Sequence, residues 1–192
     1  VATFMLDDPL RPSAVATVNA LGAAGIDCAI LSGDRESSAI RVARAVGIPT
    51  DRVIADCLPE DKADVLRASR GRTAFVGDGA NDALALAVAD VGIAVSNANR
   101  TAAMAAGVVL REEGIDGVRR AVEIARHGRY AMRQNVAFAL VYNAFGLSLA
   151  AIGMIPPVLA AAAMAASSVT VILNAARHGR GPTPDRAQQA RA

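Results

Sequence analysis

Two long stretches of this chain carry no charged side chain, and they constrain its fold more than any other feature. The stretches are residues 136–155 and 158–176, and Pro156-Pro157 separates them. Each is about as long as a helix must be to cross a hydrocarbon layer of roughly 30 Å, because a helix rises about 1.5 Å per residue. Proline suits a tight turn between helices. The sequence therefore predicts a two-helix transmembrane hairpin with spans at about 136–155 and 158–176.

Arginine side chains flank both ends of the predicted hairpin, whereas its turn has none. They are Arg119, Arg120, Arg126, Arg129 and Arg133 before the first span, and Arg177 and Arg180 after the second. Because positive charge favours the cytoplasmic side of a membrane, both ends are predicted to be cytoplasmic and the prolines to lie outside. A lipid bilayer is the expected partner of this region. The alternative is a buried, alanine-rich helical hairpin in a soluble fold.

Residues 1–117 alternate between short apolar runs and helix-like stretches. The strand-like runs are 3–6, 26–31, 73–76 and 91–95, with weaker candidates at 53–54 and 108–110. The helix-like stretches are 13–24, 37–46, 60–69, 81–89 and 101–106. This alternation predicts an α/β fold with a mostly parallel, Rossmann-like sheet covered by helices on both faces. Functional residues of such sheets follow the carboxyl ends of the strands.

Composition excludes several classes of protein. Hydrophobic residues make up 53% of the 192 positions, which excludes a disordered chain. The two cysteines, Cys28 and Cys57, are too few for a disulfide scaffold or a multi-cysteine zinc module. A net charge of +2 does not support a nucleic-acid partner. The chain begins at Val1 without an initiator methionine, so we expect a fragment of a longer protein.

Polar motifs follow two of the predicted strands. Ser32-Gly33-Asp34 comes after run 26–31, where a hydroxyl and a backbone N–H can bind phosphate, although a simple turn explains this tripeptide equally well. Gly77-Asp78-Gly79-Ala80-Asn81-Asp82 follows run 73–76. Its glycines permit a tight turn, and the carboxylates of Asp78 and Asp82 suit Mg²⁺ beside a phosphate.

Lys62 is the only lysine of the chain, and it lies between these two motifs. A lysine near a phosphate neutralises charge on the transferring phosphoryl group. By itself, a lone lysine at a helix start is usually a surface residue.

Together, in this order and spacing, these motifs resemble those of the haloacid dehalogenase-like phosphotransferases, and more closely the phosphorylation domain of P-type ATPases. The matching segments are Asp8-Pro9-Leu10-Arg11, Ser32-Gly33-Asp34, Asp61-Lys62 and residues 77–82. The resemblance implies that Ser32 and Lys62 contact phosphate, and that Gly33, Asp34 and Gly79 complete the catalytic loops. It also implies that Asp78 is a Mg²⁺ ligand, and that Asn81 and Asp82 organise the phosphate and metal site, with Asp82 the second carboxylate at Mg²⁺.

One departure from that family concerns activity. The phosphorylated aspartate of the family lies in an Asp-Lys-Thr-Gly-Thr motif, on a strand of the same sheet, and this chain has no such motif. The nucleotide-binding domain, which holds ATP, and the earlier membrane helices are absent too. We therefore expect the carboxy-terminal part of an ATP-driven pump, inactive alone, with the rest of the pump polypeptide as its partner.

The resemblance also implies a domain organisation and a location. Residues 1–117 are the carboxy-terminal part of the phosphorylation domain, on the cytoplasmic side of a multi-pass protein of the cell membrane. Residues 118–181 hold the membrane flank and hairpin, and residues 182–192 are expected to be a disordered tail.

Polar groups inside the predicted spans indicate the cargo. The first span carries Tyr142-Asn143, and the second carries Met164 with Ser168 four residues further on, on the same helix face. A thioether prefers Cu(I), and neither span holds an aspartate, glutamate, lysine or histidine. The set is similar to that in the last two helices of Cu⁺-transporting P-type ATPases, and implies Cu⁺ export. The family's Cys-Pro-Cys motif, from an earlier helix, is absent here. The alternative is a gap-filling methionine and helix-packing serines.

Two other functions stay open on the sequence alone. The same residues fit a pump for another heavy metal. They also fit a non-enzymatic, membrane-anchored binding module of the haloacid dehalogenase-like fold.

Overall fold

The computed structural model of the protein describes residues 10–111, 114–153 and 156–178. The chain divides into two compact units, Val1–Arg120 and Ala121–Ala192. The predicted strand at 3–6, with Asp8-Pro9, and the predicted tail at 182–192 lie outside the described residues.

The first unit alternates helices and strands, as predicted. Its helices are α1 (Ala14–Ala23), α2 (Glu36–Val46), α3 (Pro59–Ala68), α4 (Ala83–Val88) and α5 (Arg100–Ala105). Its strands are β1 (Ile30–Leu31), β2 (Val53–Ile54), β3 (Ala74–Gly77), β4 (Val91–Ala94) and β5 (Val108–Val109). Two short 3₁₀ turns, Thr50–Arg52 and Ala80–Asp82, precede β2 and α4.

All strand pairs of the described residues are parallel, which confirms the predicted kind of sheet. They form two separate ladders, β1–β2 and β3–β4–β5. Ile30 pairs with Val53 in the first ladder, and Phe75 pairs with Gly92 in the second. β1 is shorter than the predicted 26–31, because β2, its only partner in the described chain, offers two residues for pairing. β1 and β3 each have one edge that is unpaired within these residues.

The core of the first unit lies on both faces of the strands. One cluster joins Phe75 of β3 to α4 and α5, and Leu31 of β1 packs against it. The other cluster lies under α2, around Ala43 and Val46, and Ile30 packs against that one. Successive strand residues point to opposite faces of a sheet, so neighbouring residues of β1 serve the two clusters. The predicted helices on both faces are confirmed.

Local sequence signals explain where the helices near the motifs begin and end. Gly47 ends α2 with φ +83°, a left-handed conformation that favours glycine. Pro59 opens α3, and the Asp61 carboxylate accepts the Leu58 N–H at 2.8 Å. The Asn99 side chain accepts the Ala102 N–H at 2.8 Å and caps α5.

Two long helices complete the described chain, α6 (Asp116–Ala151) and α7 (Pro157–His178). Within the second unit, the side-chain amide of Asn174 on α7 donates to Asn135 Oδ1 on α6 at 2.7 Å. The predicted pair of helices flanking Pro156 is therefore present.

The predicted transmembrane character of these helices is not shown. No helix in the described ranges combines the length and the apolar composition needed to cross a membrane.

Candidate active site

An ion pair at the carboxyl end of β3 joins two of the sequence motifs. Lys62 Nζ on α3 lies 2.8 Å from Asp82 Oδ1, at the end of the 3₁₀ turn that follows β3. The two side chains are only 12% and 14% exposed. Charged groups are rarely so well buried unless they are paired. Lys62 is therefore not an ordinary surface lysine, and the structure brings two of the predicted site residues together.

The second oxygen of Asp82 faces the glycine-rich loop. Asp82 Oδ2 accepts the Gly79 N–H at 3.5 Å. A Cβ on Gly77 would lie 2.8 Å from both Cβ and Oδ2 of Asp82. The absence of a side chain at Gly77 is thus what lets this carboxylate approach the end of β3.

Backbone hydrogen bonds hold the loop that carries Asp78. The carbonyl of Asp78 accepts the Asn99 N–H at 2.9 Å, and the carbonyl of Gly77 accepts the Val95 N–H at 3.2 Å. The side chains of Asp78 and Asn81 are exposed. Sequence reasoning missed Asn99, which ties this loop to the start of α5. An asparagine just before a helix is a capping signal that could have identified it.

The Ser32 loop forms a tight turn at the end of β1. Ser32 Oγ accepts the Asp34 N–H at 3.1 Å and donates to Asp34 Oδ2 at 3.1 Å. This is the turn conformation that the sequence left open as an alternative. Gly33 and Asp34 are exposed, whereas Ser32 is half-buried.

Backbone bonds connect this turn to the segment that leads into α3. The Cys57 N–H donates to the Ser32 carbonyl, and the Asp56 N–H donates to the Asp34 carbonyl, each at 2.9 Å. A Cβ on Gly33 would lie 3.3 Å from the Cys57 carbonyl oxygen, so the two segments pass close to one another. The Ser32 turn is thereby tied to the helix that carries Lys62.

Cys57 is buried, and its thiol hydrogen-bonds to the Ile54 carbonyl at 3.4 Å. Burial raises the pKa of the Cys57 thiol, and the nearby Asp61 carboxylate raises it further. Burial likewise raises the pKa of Cys28, with Asp27 adding to the effect. Thiols with raised pKa values are poor nucleophiles, which favours a structural role for both cysteines.

The donor set at this edge fits Mg²⁺ in chemistry. Asp78 and Asp82 offer carboxylate oxygens, and Mg²⁺ is commonly bound by one or two carboxylates together with substrate phosphate. No cluster of three or more His, Cys, Asp or Glu side chains is placed to hold a metal in the part of the chain that the structure describes.

The residues predicted to bind the cargo lie on α6 and α7. Tyr142, Asn143 and Ser168 are exposed on these helices. The side chain of Met164 lies outside the described part of the structure.

Two family models match the first unit, and both describe a haloacid dehalogenase-like hydrolase. One matches residues 1–90 and the other matches residues 61–122. The parallel strands, with the Lys62–Asp82 pair at the end of β3, agree with that match. The first part of this chain is therefore similar to haloacid dehalogenase-like hydrolases over residues 1–122.

Relatives that match almost the whole chain give a more specific comparison. Nitrogen fixation protein FixI of Rhizobium leguminosarum bv. viciae is 39% identical over 189 residues, which are 96% of this chain and 25% of that protein. The probable copper-transporting ATPase SynA of Synechococcus is 39% identical over 184 residues, 91% of this chain and 23% of that protein. The homologues of this chain include copper-transporting P-type ATPases, and the chain spans about a quarter of their length.

A solved structure that resembles this chain is also that of a P-type ATPase. A zinc-transporting PIB-type ATPase in its E2.Pi state matches with a TM-score of 0.85 and 32% sequence identity. The match covers 90% of this chain and 28% of that one.

Proposed function

We propose that this chain is the carboxy-terminal part of an ATP-driven heavy-metal pump that exports Cu⁺ through an aspartyl-phosphate cycle. The observation that carries the proposal is the Lys62–Asp82 pair, because it joins two separate motifs of the P-type phosphorylation site at one strand end. The nucleophilic aspartate and the nucleotide-binding domain belong to parts of the pump outside this chain. The chain alone is therefore expected to hydrolyse no ATP, since no nucleophile is in place.

Each residue of the site has a role in this cycle. The Lys62 ammonium, held by Asp82, places positive charge where the phosphoryl group transfers. The Ser32 hydroxyl and the Gly33 N–H are donors for phosphate oxygens, once Ser32 rotates away from Asp34. Asp78 and Asp82 would hold Mg²⁺, with Asn81 beside them. Bound there, the cation supplies charge stabilisation to the phosphoryl oxygens.

The unpaired edges of β1 and β3 are where we place the strand that carries the nucleophile. Leu31 of β1 packs against the cluster around Phe75 of β3, so the two ladders share one core although they are not paired to each other. A parallel strand between them would satisfy both edges and join the ladders into one sheet. Its carboxyl end would lie beside Ser32 and Asp78.

We assign the hairpin of α6 and α7 to the membrane domain of a multi-pass pump in the cell membrane, with the first unit in the cytoplasm. The charge-free runs, their arginine flanks and the membrane transporters among the homologues support this. Helices inside a bundle pack against other helices through small residues, so they need not be strongly apolar. The alanine content of both runs fits such a position.

Copper is the cargo that the residues favour, and zinc is the second candidate. Met164 offers a soft sulfur ligand, and Tyr142, Asn143 and Ser168 offer polar ones. The structural relative named as a zinc transporter supports zinc. A Zn²⁺ site is commonly built from cysteine, histidine or carboxylate ligands, and both charge-free runs lack all of these. A non-enzymatic binding module remains the alternative if the complete gene encodes no nucleophile.

Asp78→Asn in the complete pump tests the phosphorylation site. The substitution keeps the shape of the side chain but weakens it as a Mg²⁺ ligand. Phosphoenzyme formed from ATP should fall by orders of magnitude. Asp64→Asn is the matched control, because Asp64 is an exposed carboxylate on α3 that pairs only with Arg67 in the bonds described. A normal level of phosphoenzyme in Asp78→Asn would show that Asp78 is not a Mg²⁺ ligand.

A further inference from the structure

An amide cluster at one end of the hairpin joins α6 to α7. Asn174 Nδ2 donates to Asn135 Oδ1 at 2.7 Å and approaches Gln134 Oε1 at 3.5 Å. All three side chains are half-buried. Beside the cluster, Ala139 of α6 and Val171 of α7 line an open apolar groove between the two helices. The cluster is thus a polar contact between the helices, beside an apolar groove.

The hydrogen bond fixes how the two helices align along their length. α6 ends at Ala151 and α7 begins at Pro157, so a contact between Asn135 and Asn174 requires the two helices to run in opposite directions. Asn143 lies eight residues after Asn135, and residue 166 lies eight residues before Asn174. Each of these steps covers about 12 Å at 1.5 Å per residue. Asn143 is therefore level with residue 166, which lies midway between positions 164 and 168.

We propose that the Asn135–Asn174 hydrogen bond is a positioning contact for the metal site of the hairpin. It holds α6 and α7 in the register that places Tyr142 and Asn143 level with Met164 and Ser168. The inference rests on the proposed function for the identity of the cargo. A polar contact is suited to this task because alanine-rich helix surfaces can slide past one another with little change in packing, whereas an amide pair matches in one register.

The variant that tests the proposal is Asn174→Leu in the complete pump. It removes the amide and keeps a side chain of similar size. Cu(I) affinity, measured by competition with a Cu(I) chelator, should weaken roughly threefold to twentyfold, the range expected for one hydrogen bond between membrane helices. Phosphorylation backwards from inorganic phosphate should persist, since that reaction uses only the first unit and its partner strand. Asn174→Gln keeps an amide and should recover much of the affinity.

Gln134→Leu is the matched control, because its contact with Asn174 is at the limit of a hydrogen bond. It should bind Cu(I) nearly as the parent does. A structural readout separates register from general damage. The pair Ala139→Cys with Val171→Cys should cross-link in the parent, and Ala139→Cys with Ala175→Cys reports a shift of one helical turn. Adding Asn174→Leu should lower the first yield and raise the second.

Two results would overturn the proposal: parental Cu(I) affinity in Asn174→Leu, or an unchanged cross-linking pattern. Failure of the proposed function would give a different set of results. A parent pump that does not bind Cu(I), or in which Met164→Leu binds it normally, rejects the copper site. The cross-linking pattern still decides whether Asn174 fixes the register.

Discussion

The ammonium of Lys62 and the carboxylate of Asp82 meet at 2.8 Å although twenty positions separate them in the chain. Lys62 lies in the first turn of α3, whereas Asp82 ends the turn that follows β3. Both side chains are largely shielded from water. The pair therefore couples the orientation of α3 to the loop that carries Asp78.

Lys62→Ala should damage both the chemistry and the fold. In the complete pump, phosphoenzyme formed from ATP should fall by orders of magnitude, because the positive charge beside the phosphoryl group is lost. The free energy of unfolding should fall by about 1–3 kcal/mol, since the shielded Asp82 carboxylate loses its charged partner. Phosphoenzyme assays and denaturant unfolding measure the two effects.

Arg67→Ala on the same helix is the control for that change. It removes an ion pair with Asp64 whose side chains are 55% and 70% exposed. Exposed pairs contribute about 0–1 kcal/mol, so stability and phosphorylation should stay near the parent values. Equal losses in both variants would mean that the Lys62 pair has no special role.

The sequence predicted the bounds of the helices and strands around Lys62 and Asp82, but not the contact between these two side chains. The bounds of α2, α3 and β4 agree with the predicted stretches to within one residue. Local signals such as Pro59 and Gly47 determine those bounds. The approach of Lys62 to Asp82 depends on how α3 packs against α4, which no local pattern encodes. Asp61 also has a structural role that the sequence did not indicate, because its carboxylate accepts the Leu58 N–H at the start of α3. The family resemblance treats the segment Asp61-Lys62 as functional.

The sequence was least informative where pairing partners matter. Residues 26–29 have a strand-like composition, yet they are not in β1, because β2 is short and no other described strand reaches them. The charge-free runs predicted the two hairpin helices, but their transmembrane character is not shown within the described residues. For β1, the missing information lies in the neighbouring strand rather than in the segment itself.

Gly92→Ala should be strongly destabilising. A Cβ on Gly92 of β4 would overlap the carbonyl oxygen of Leu86, which is backbone and cannot rotate away. The clash separates α4 from β4, and the free energy of unfolding should fall by several kcal/mol. Thermal unfolding of the complete protein measures it.

Gly22→Ala is the paired control, because Gly22 lies in α1 and a Cβ there would meet nothing within 4 Å. It should raise the free energy of unfolding by roughly 0.5–1 kcal/mol through helix propensity. If the two variants had similar stability, the packing of α4 on β4 described here would be wrong.

Asp116 should make stability depend on pH in the acid range. Its hydrogen bond from Arg119 at 2.9 Å, with a further bond from Arg120, lowers the pKa of the Asp116 carboxyl below its usual value. A lowered pKa in the folded state means that the stabilisation is present above the ordinary value of about 3.9. It is lost as the pH falls through the lower, folded-state pKa.

The comparison of the parent with Asp116→Asn measures this effect. The Asn variant should melt at a lower temperature than the parent at pH 7 and pH 5, and the difference should shrink below about pH 4. A difference that stays constant down to pH 3 would show that the ionised carboxylate is not what stabilises the start of α6.

The most direct test of the account is metal-dependent phosphorylation of the complete pump by ATP. Purified pump is incubated with Cu(I) or with Zn²⁺, and the phosphoenzyme is measured in the parent and in Met164→Leu. Cu(I) should stimulate phosphorylation of the parent, Zn²⁺ should not, and Met164→Leu should lose the response while it is still phosphorylated by inorganic phosphate. Stimulation by Zn²⁺ as strong as by Cu(I), with Met164→Leu behaving like the parent, would contradict the copper assignment.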